Sequence, residues 1–311
     1  MAERNLKLEY LTERSITKPN RKFKTPELAI VSATFLENAR RLVYLGNLPF
    51  VIAHVLRAQE RALAGALMKH TGDVKDVPSS HPQVEDIEAT GDQLLMGLLE
   101  EQAVNQEAVI NRSQRRTLAI LGELARQKSA LSGIEAFLAA LVVNTWTAFE
   151  TLSGDLWEAA LNCHPKELAA LTGGKAPKDD DGKTVPLKML QKFGFDLSKS
   201  MGTLLKERNV HFDKLESIRE NYGRAFGEGA VTDVLADKSL DSLNAVRNLL
   251  VHCAGVVDDR YLNRTRSLAV PKAAANAPIE LDGEIVSDLT KPVMTIGVVL
   301  LTRVDEWLAA H

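Results

Sequence analysis

The stretch from Ser132 to Asn162 is the most apolar in the chain, and it constrains the fold more than any other. Ile134, Phe137, Leu138, Leu141, Val142, Trp146, Phe149, Leu152, Leu156 and Trp157 recur at helical spacing but cover most of the helix circumference. A helix apolar nearly all round must be enclosed by other elements on several sides. The rest of the chain offers helices to do it. Only 5% of its residues are aromatic while 45% are hydrophobic, with Leu and Ala plentiful, a composition suited to helix bundles rather than β-sandwiches. An all-α protein is the expectation.

The other elements follow from breakers and periodicity. Residues 1–25 are polar and locally basic, with Arg14, Lys18, Arg21, Lys22 and Lys24 close together, and read as a flexible basic arm. Pro26 opens a helical run carrying Leu28, Val31, Phe35, Ala39 and Leu42. Gly46 to Pro49 is expected to interrupt it before a second run continues to about Lys69. A loop with Pro78, Ser79, Ser80 and Pro82 follows, then a long helical stretch from about Val84 to Lys128. Residues 26–130 thus form a long helical amino-terminal region, and 131–311 a second helical domain. Within the latter, Pro186–Phe193 and Met201–Arg224 are expected to be helices, and Pro292–His311 closes the chain as another. Between Val256 and Lys291 the pattern is mostly non-helical. There Ile279-Glu280-Leu281-Asp282-Gly283-Glu284-Ile285-Val286 alternates around Asp-Gly, the signature of a small β-hairpin.

One further helix, from about Ser239 to Gly255, carries the polar residues of interest. Ser239 or Asp237 can cap its start and Gly255 its end. Leu243, Val246, Leu250 and Cys253 make an apolar stripe. At about 3.6 residues per turn, Asn244, Arg247, Asn248 and His252 fall on a different arc, with Val251 in its midst. Arg supplies a permanently charged planar fork that matches phosphate oxygens. His moves protons near neutral pH, and the last helical turn favours its cationic form. Asn can orient a neighbour or hold a phosphate oxygen. The trio suits phosphodiester chemistry, although a polar arc on an amphipathic helix is also what an ordinary solvated face looks like.

The string Ala245-Val246-Arg247-Asn248-Leu249-Leu250-Val251-His252, followed by Gly255-Val256-Val257-Asp258-Asp259-Arg260-Tyr261-Leu262, resembles the signature helix of the HEPN superfamily, in particular its bacterial RiboL-PSP-HEPN branch. The resemblance covers about residues 130–310. It implies a HEPN-like helical bundle, with the hairpin as a small insertion and the long amino-terminal helices before it. It also implies a metal-independent endoribonuclease, or a non-catalytic RNA-binding or regulatory relative. Two protomers would pack their motif helices to form one composite site. Arg247, His252 and Asn248 are then the catalytic candidates, with Asn244 in support, and Val251 would be covered by the partner protomer. Thr147-Ala148-Phe149-Glu150 resembles the first HEPN helix, whose acidic residue faces the motif; Glu150 can pair with Arg247 or tune His252. Arg260, Arg264 and Arg266 are candidates for a local RNA-binding patch, with a solvated loop as the alternative. HEPN proteins act in stress response, phage defence and toxin–antitoxin pairs, so an antitoxin or regulatory protein is a possible partner. In one toxin subgroup a modified Tyr follows the motif His by two residues; here that position is Ala254, and Tyr261 lies further on.

Other chemistries lack their motifs. The net charge of −3 argues against broad electrostatic binding of nucleic acid, so any RNA site must be local. Cys163 and Cys253 have no CxxC partner and read as reduced thiols. His54, His70, His81 and His164 have no metal-ligand spacing, and Asp179-Asp180-Asp181 lacks the alternation and distal Glu of a calcium loop. No metal or cofactor is expected. Arg208-Asn209-Val210-His211 has its Arg and His closer together than the motif and lacks the Gly-Val-Val-Asp continuation. No apolar run reaches bilayer length and MAERNLKLEY lacks a signal-peptide core, so a cytoplasmic protein without a membrane partner is expected.

Overall fold

The all-round apolar stretch becomes a single long helix, and the protein is all-α. The computed structural model describes residues 23–75, 77–104, 117, 120–124, 126–166, 168, 187–207 and 210–311. In chain order its helices are α1 (Glu27–Thr71), α2 (Val84–Val104), α3 (Lys128–Cys163), α4 (Leu187–Lys192), α5 (Met201–Glu207), α6 (Leu215–Phe226), α7 (Ala230–Leu235), α8 (Lys238–Cys253), α9 (Asp259–Arg264) and α10 (Gly283–Ala310). The basic arm up to Lys22, the aspartates at 179–181 and the Arg208-Asn209 pair lie outside the described residues.

The chain divides into two compact units. One holds Tyr44–Ile134, with the second part of α1, all of α2 and the start of α3. Its buried core includes Ala66, Leu67 and Ile87, with Val77 packed against them. A Cβ at Gly65 would stand 3.1 Å from Leu94 Cδ1, so the missing side chain lets α2 approach α1 closely. Nearer the amino end of this part of α1, Tyr44, Leu48, Val51, Ile52 and Leu56 are exposed.

The other unit holds Glu135–His311 and the first part of α1 up to Val43. Leu138, Leu141, Val142, Trp146, Phe149, Leu152, Leu156 and Trp157 of α3 are all buried, together with Leu28 and Phe35 of α1 and Val293, Leu300, Leu301 and Val304 of α10. Gly297 on α10 makes this packing possible, since a Cβ there would fall 2.4 Å from Phe35 Cζ. Asp305, 0% exposed, accepts hydrogen bonds from the backbone N–H of Lys24 at 3.0 Å and of Thr25 at 2.9 Å. Those two donors precede α1 and would otherwise lack partners. The helix that carries the motif, α8, packs against α10, α6 and α9. Arg219 of α6 grips its first turn with both ends of the guanidinium on Asp241, each at 2.9 Å, while its Nε donates to Leu235 O.

Several local expectations are corrected. Gly46 to Pro49 does not interrupt α1, which runs through Pro49 without a break, and Pro292 lies inside α10 rather than at its start. Asp282-Gly283 is not a hairpin turn. Asp282 caps α10, accepting a hydrogen bond from Ile285 N at 2.8 Å, so the small β-hairpin is replaced by a helix start. The β pairing found among the described residues is one antiparallel bridge between Val256 and Pro278. The 256–291 segment is mostly non-helical as expected, but it also holds α9 and the first turns of α10. The helix expected over Met201–Arg224 is two, α5 and α6, separated by the turn around Asp213. By length and composition alone α3 and α10 are both long and apolar enough to cross a membrane, although neither holds an uninterrupted apolar run of that length; here both contribute to the buried core.

Candidate functional site

Helix α8 is built to present a graded polar face. Asp237 caps its start, taking a hydrogen bond from Ser239 N at 2.8 Å. Its end is closed by Ala254 and Gly255, both with positive φ (49° and 79°), and Gly255 N–H reaches back to Leu249 O at 3.1 Å. Gly tolerates that conformation; Ala does so at a cost. Ala254→Gly is therefore expected to stabilise the protein by about 0.5–1 kcal/mol, measurable as a higher denaturant midpoint at unchanged slope. Beyond the cap, Val257 N–H donates to Ala277 O and Ile279 N–H to Gly255 O, each at 2.9 Å, which pins the segment that follows the motif.

The arc of polar residues climbs out of the core along the helix. Asn244 is 2% exposed, Arg247 and Asn248 are partly buried, and Val251 and His252 are exposed. The three lower residues form a ladder. Asn248 Nδ2 donates to Asn244 Oδ1 at 3.1 Å, which leaves Asn248 Oδ1 to accept from Arg247 Nη1 at 2.9 Å. Adjacent residues on a helix do not normally face each other. Here the Arg stem is long enough to fold the guanidinium back over its neighbour. His252, one turn above Asn248, makes no hydrogen bond among the described residues.

Glu150 on α3 faces this ladder. Burial pushes its carboxyl above the ordinary value of 4.5, opposed by the Arg247 guanidinium and by the indole N–H of Trp146, while Asp213 before α6 adds to the rise. The protonated form is thus favoured by folding. That contribution is complete below the ordinary glutamate pKa and is lost as pH rises through the raised one. Glu150→Gln should escape the loss: its melting temperature should exceed the wild type's at pH 7 and match it near about pH 4.

The three candidate arginines do not stand together as one free patch. Arg264 is paired with Glu216 of α6, and Arg266 Nη2 donates to Asn263 Oδ1 at 2.8 Å. Arg260 is exposed, and its charge acts on the Cys253 thiol, beside His252. Burial and Asp258, whose Oδ2 lies 3.7 Å from Cys253 Sγ, nonetheless hold that thiol above its ordinary value. A second polar cluster, Lys206 with Asp155 at 2.9 Å and Glu158 at 3.0 Å, ties α5 to α3. Burial opposes the charge on Glu158, but hydrogen bonds from Thr203 and Lys206 outweigh it and hold its carboxyl below the ordinary range. Among the described residues no group of three or more His, Cys, Asp or Glu is placed to hold a metal ion.

Sequence reasoning missed two residues of this neighbourhood. Trp146 lies four positions before Glu150, on the same face of α3, so helical spacing alone could have linked the two. Asp213 comes from the turn ahead of α6, and no local pattern marks it. The chain matches no protein-family model, and no curated protein or solved structure is similar to it.

Proposed function

We propose that this is a HEPN-type endoribonuclease that cleaves RNA without a metal, at a composite Arg/His site completed by a second copy of the chain. The observation that carries the reading is the ladder of Asn244, Asn248 and Arg247 beneath an exposed His252. A guanidinium fixed through its own side of the helix is ready to meet a phosphate, and the imidazole beside it is free to exchange protons.

In the proposed reaction His252 removes the proton of a ribose 2′-hydroxyl, and the 2′-oxygen attacks the adjacent phosphorus. Arg247 stabilises the charge gathering on the phosphate oxygens. The bond to the 5′-oxygen breaks, and that oxygen takes a proton from the partner protomer's imidazole. The products carry a 2′,3′-cyclic phosphate and a 5′-hydroxyl. One His cannot give and take a proton in the same step, and a two-fold interface on α8 supplies the second. Val251, 47% exposed on that arc, is the residue such an interface would cover. Arg260 is the best placed of the three arginines to extend the RNA contact, and an RNA substrate fits a cytoplasmic setting.

A second reading keeps the dimer and drops the chemistry: an RNA-binding or regulatory module, or a toxin held by an antitoxin. The exposed apolar residues of α1 favour a protein partner. One experiment separates the readings. A mixed RNA pool is incubated in EDTA with wild type, Arg247→Ala and His252→Ala, and the product ends are analysed. Cleavage by wild type alone, leaving cyclic phosphate ends, supports the nuclease; three folded but equally inert proteins overturn it.

A further inference from the structure

Two buried N–H donors near the ladder lack a hydrogen-bond acceptor in good geometry: Trp146 Nε1 and Arg247 Nε. An unsatisfied buried donor is costly, and a native site seldom carries two of them together. Both lie within reach of one carboxylate, that of Glu150, whose pKa the Arg247 charge and the Trp146 indole one helical turn away both lower, yet neither N–H is hydrogen-bonded to it. Trp146 is 0% exposed and packs against Phe149 with ring centroids 6.0 Å apart. Burial explains the bulk of that side chain but not the polar N–H it carries into the core. The indole nitrogen is the part of Trp146 that packing leaves unexplained.

We propose that Trp146 is a positioning residue for the Arg247 site, its unpartnered indole N–H and the unpartnered Arg247 Nε–H both closing on the Glu150 carboxylate, which then fixes the guanidinium. Arg247 is then braced at two points, by Asn248 Oδ1 at Nη1 and by Glu150 at Nε, which leaves Nη2 for an incoming phosphate oxygen. The geometry of α3 makes this natural, because residues four apart lie one above the other on a helix. The role as part of a catalytic site rests on the proposed RNA cleavage; the hydrogen bond itself does not.

The test follows the indole resonances of the three tryptophans, Trp146, Trp157 and Trp307, by NMR. Trp146→Phe identifies the Trp146 signal by its loss. That signal should move in Glu150→Ala and should follow the titration of the carboxyl in the wild type, with Arg247 and Asp213 as the charged neighbours that shape the curve. Trp157, whose indole donates to Asn221 O at 3.1 Å, is the internal control and should stay fixed. A Trp146 signal unchanged by both Glu150→Ala and pH overturns the proposal. In RNA cleavage, Trp146→Phe should lower kcat by about tenfold to a hundredfold with little change in KM, the mark of a misplaced group rather than lost binding. Wild-type kcat in Trp146→Phe also overturns the positioning role. An indole that responds to Glu150 in a protein that cleaves no RNA would sink the nuclease reading while leaving the hydrogen bond in place.

Discussion

Arg247→Ala is expected to lower kcat for RNA cleavage by about a hundredfold to a thousandfold, the usual effect of removing one donor to a developing oxyanion. KM should change less, because the interaction strengthens as charge moves onto the phosphate. Arg247→Lys should recover little of the loss. An ammonium keeps the charge but not the fork, so it cannot reach Asn248 Oδ1 and a phosphate oxygen from fixed positions. Removing the guanidinium also takes away the cation that opposes the rise of the Glu150 carboxyl. The Arg247→Ala protein should therefore hold the Glu150 proton to higher pH than the wild type does. Cleavage rates and the carboxyl titration of the same preparations check both statements. A variant retaining wild-type kcat would remove Arg247 from the mechanism.

The second large effect concerns the frame. Gly202→Ala should destabilise the unit built on α3 by about 3–5 kcal/mol. A Cβ at residue 202 would stand 2.3 Å from the carbonyl oxygen of Glu158 and 3.0 Å from its Cα, contacts that backbone cannot yield by rotating a side chain. Helices α3 and α5 would have to part. Parting them breaks the hydrogen bond from Gly202 N to Asn162 Oδ1 at 2.8 Å, and strains the contacts of Glu158 with Thr203 and Lys206. Denaturant unfolding followed by far-UV circular dichroism measures the loss. Gly223→Ala, where a Cβ meets nothing within 4 Å, is the control and should change little.

The helices were legible where periodicity and caps agreed. Asp237 and Gly255 bound α8 as their residue types require, and the all-round apolarity of α3 foretold its burial. The failures share a cause: a local signal outweighed by packing. Pro49 forfeits a helical hydrogen bond, yet Leu42, Val43 and Phe50 around it are buried, and that burial carries α1 through. Pro292 is flanked likewise by Val293 and Met294. Asp-Gly serves equally as a hairpin turn or a helix start, and only the burial of Gly283 and Val286 in α10 decides between them. The site was legible to the extent that one helix holds it. The relation of Asn244, Arg247, Asn248 and His252 is a matter of spacing along α8. What spacing could not supply was depth: Asn244 sits in the core although its residue type suggests solvent. Asp213 depends on how the turn before α6 meets α3, a relation between distant segments that no local pattern encodes.

The hydrogen bonds that Asp305 accepts from Lys24 and Thr25 join positions 281 and 280 residues apart, so they set a schedule as well as a shape. A ribosome releases the chain from its amino end, and Lys24 waits for its acceptor until Asp305 has emerged. Phe35 waits as long for the gap at Gly297. Until α10 is made, the amino-terminal half of α1 therefore lacks the packing of Phe35 against Gly297, an exposure of apolar surface. Within Tyr44–Ile134 the described core partners Ala66, Leu67, Val77 and Ile87 are near one another in sequence and meet early. Of the two units, the one that bears Arg247 and His252 is the one whose core cannot close before α10 has been made.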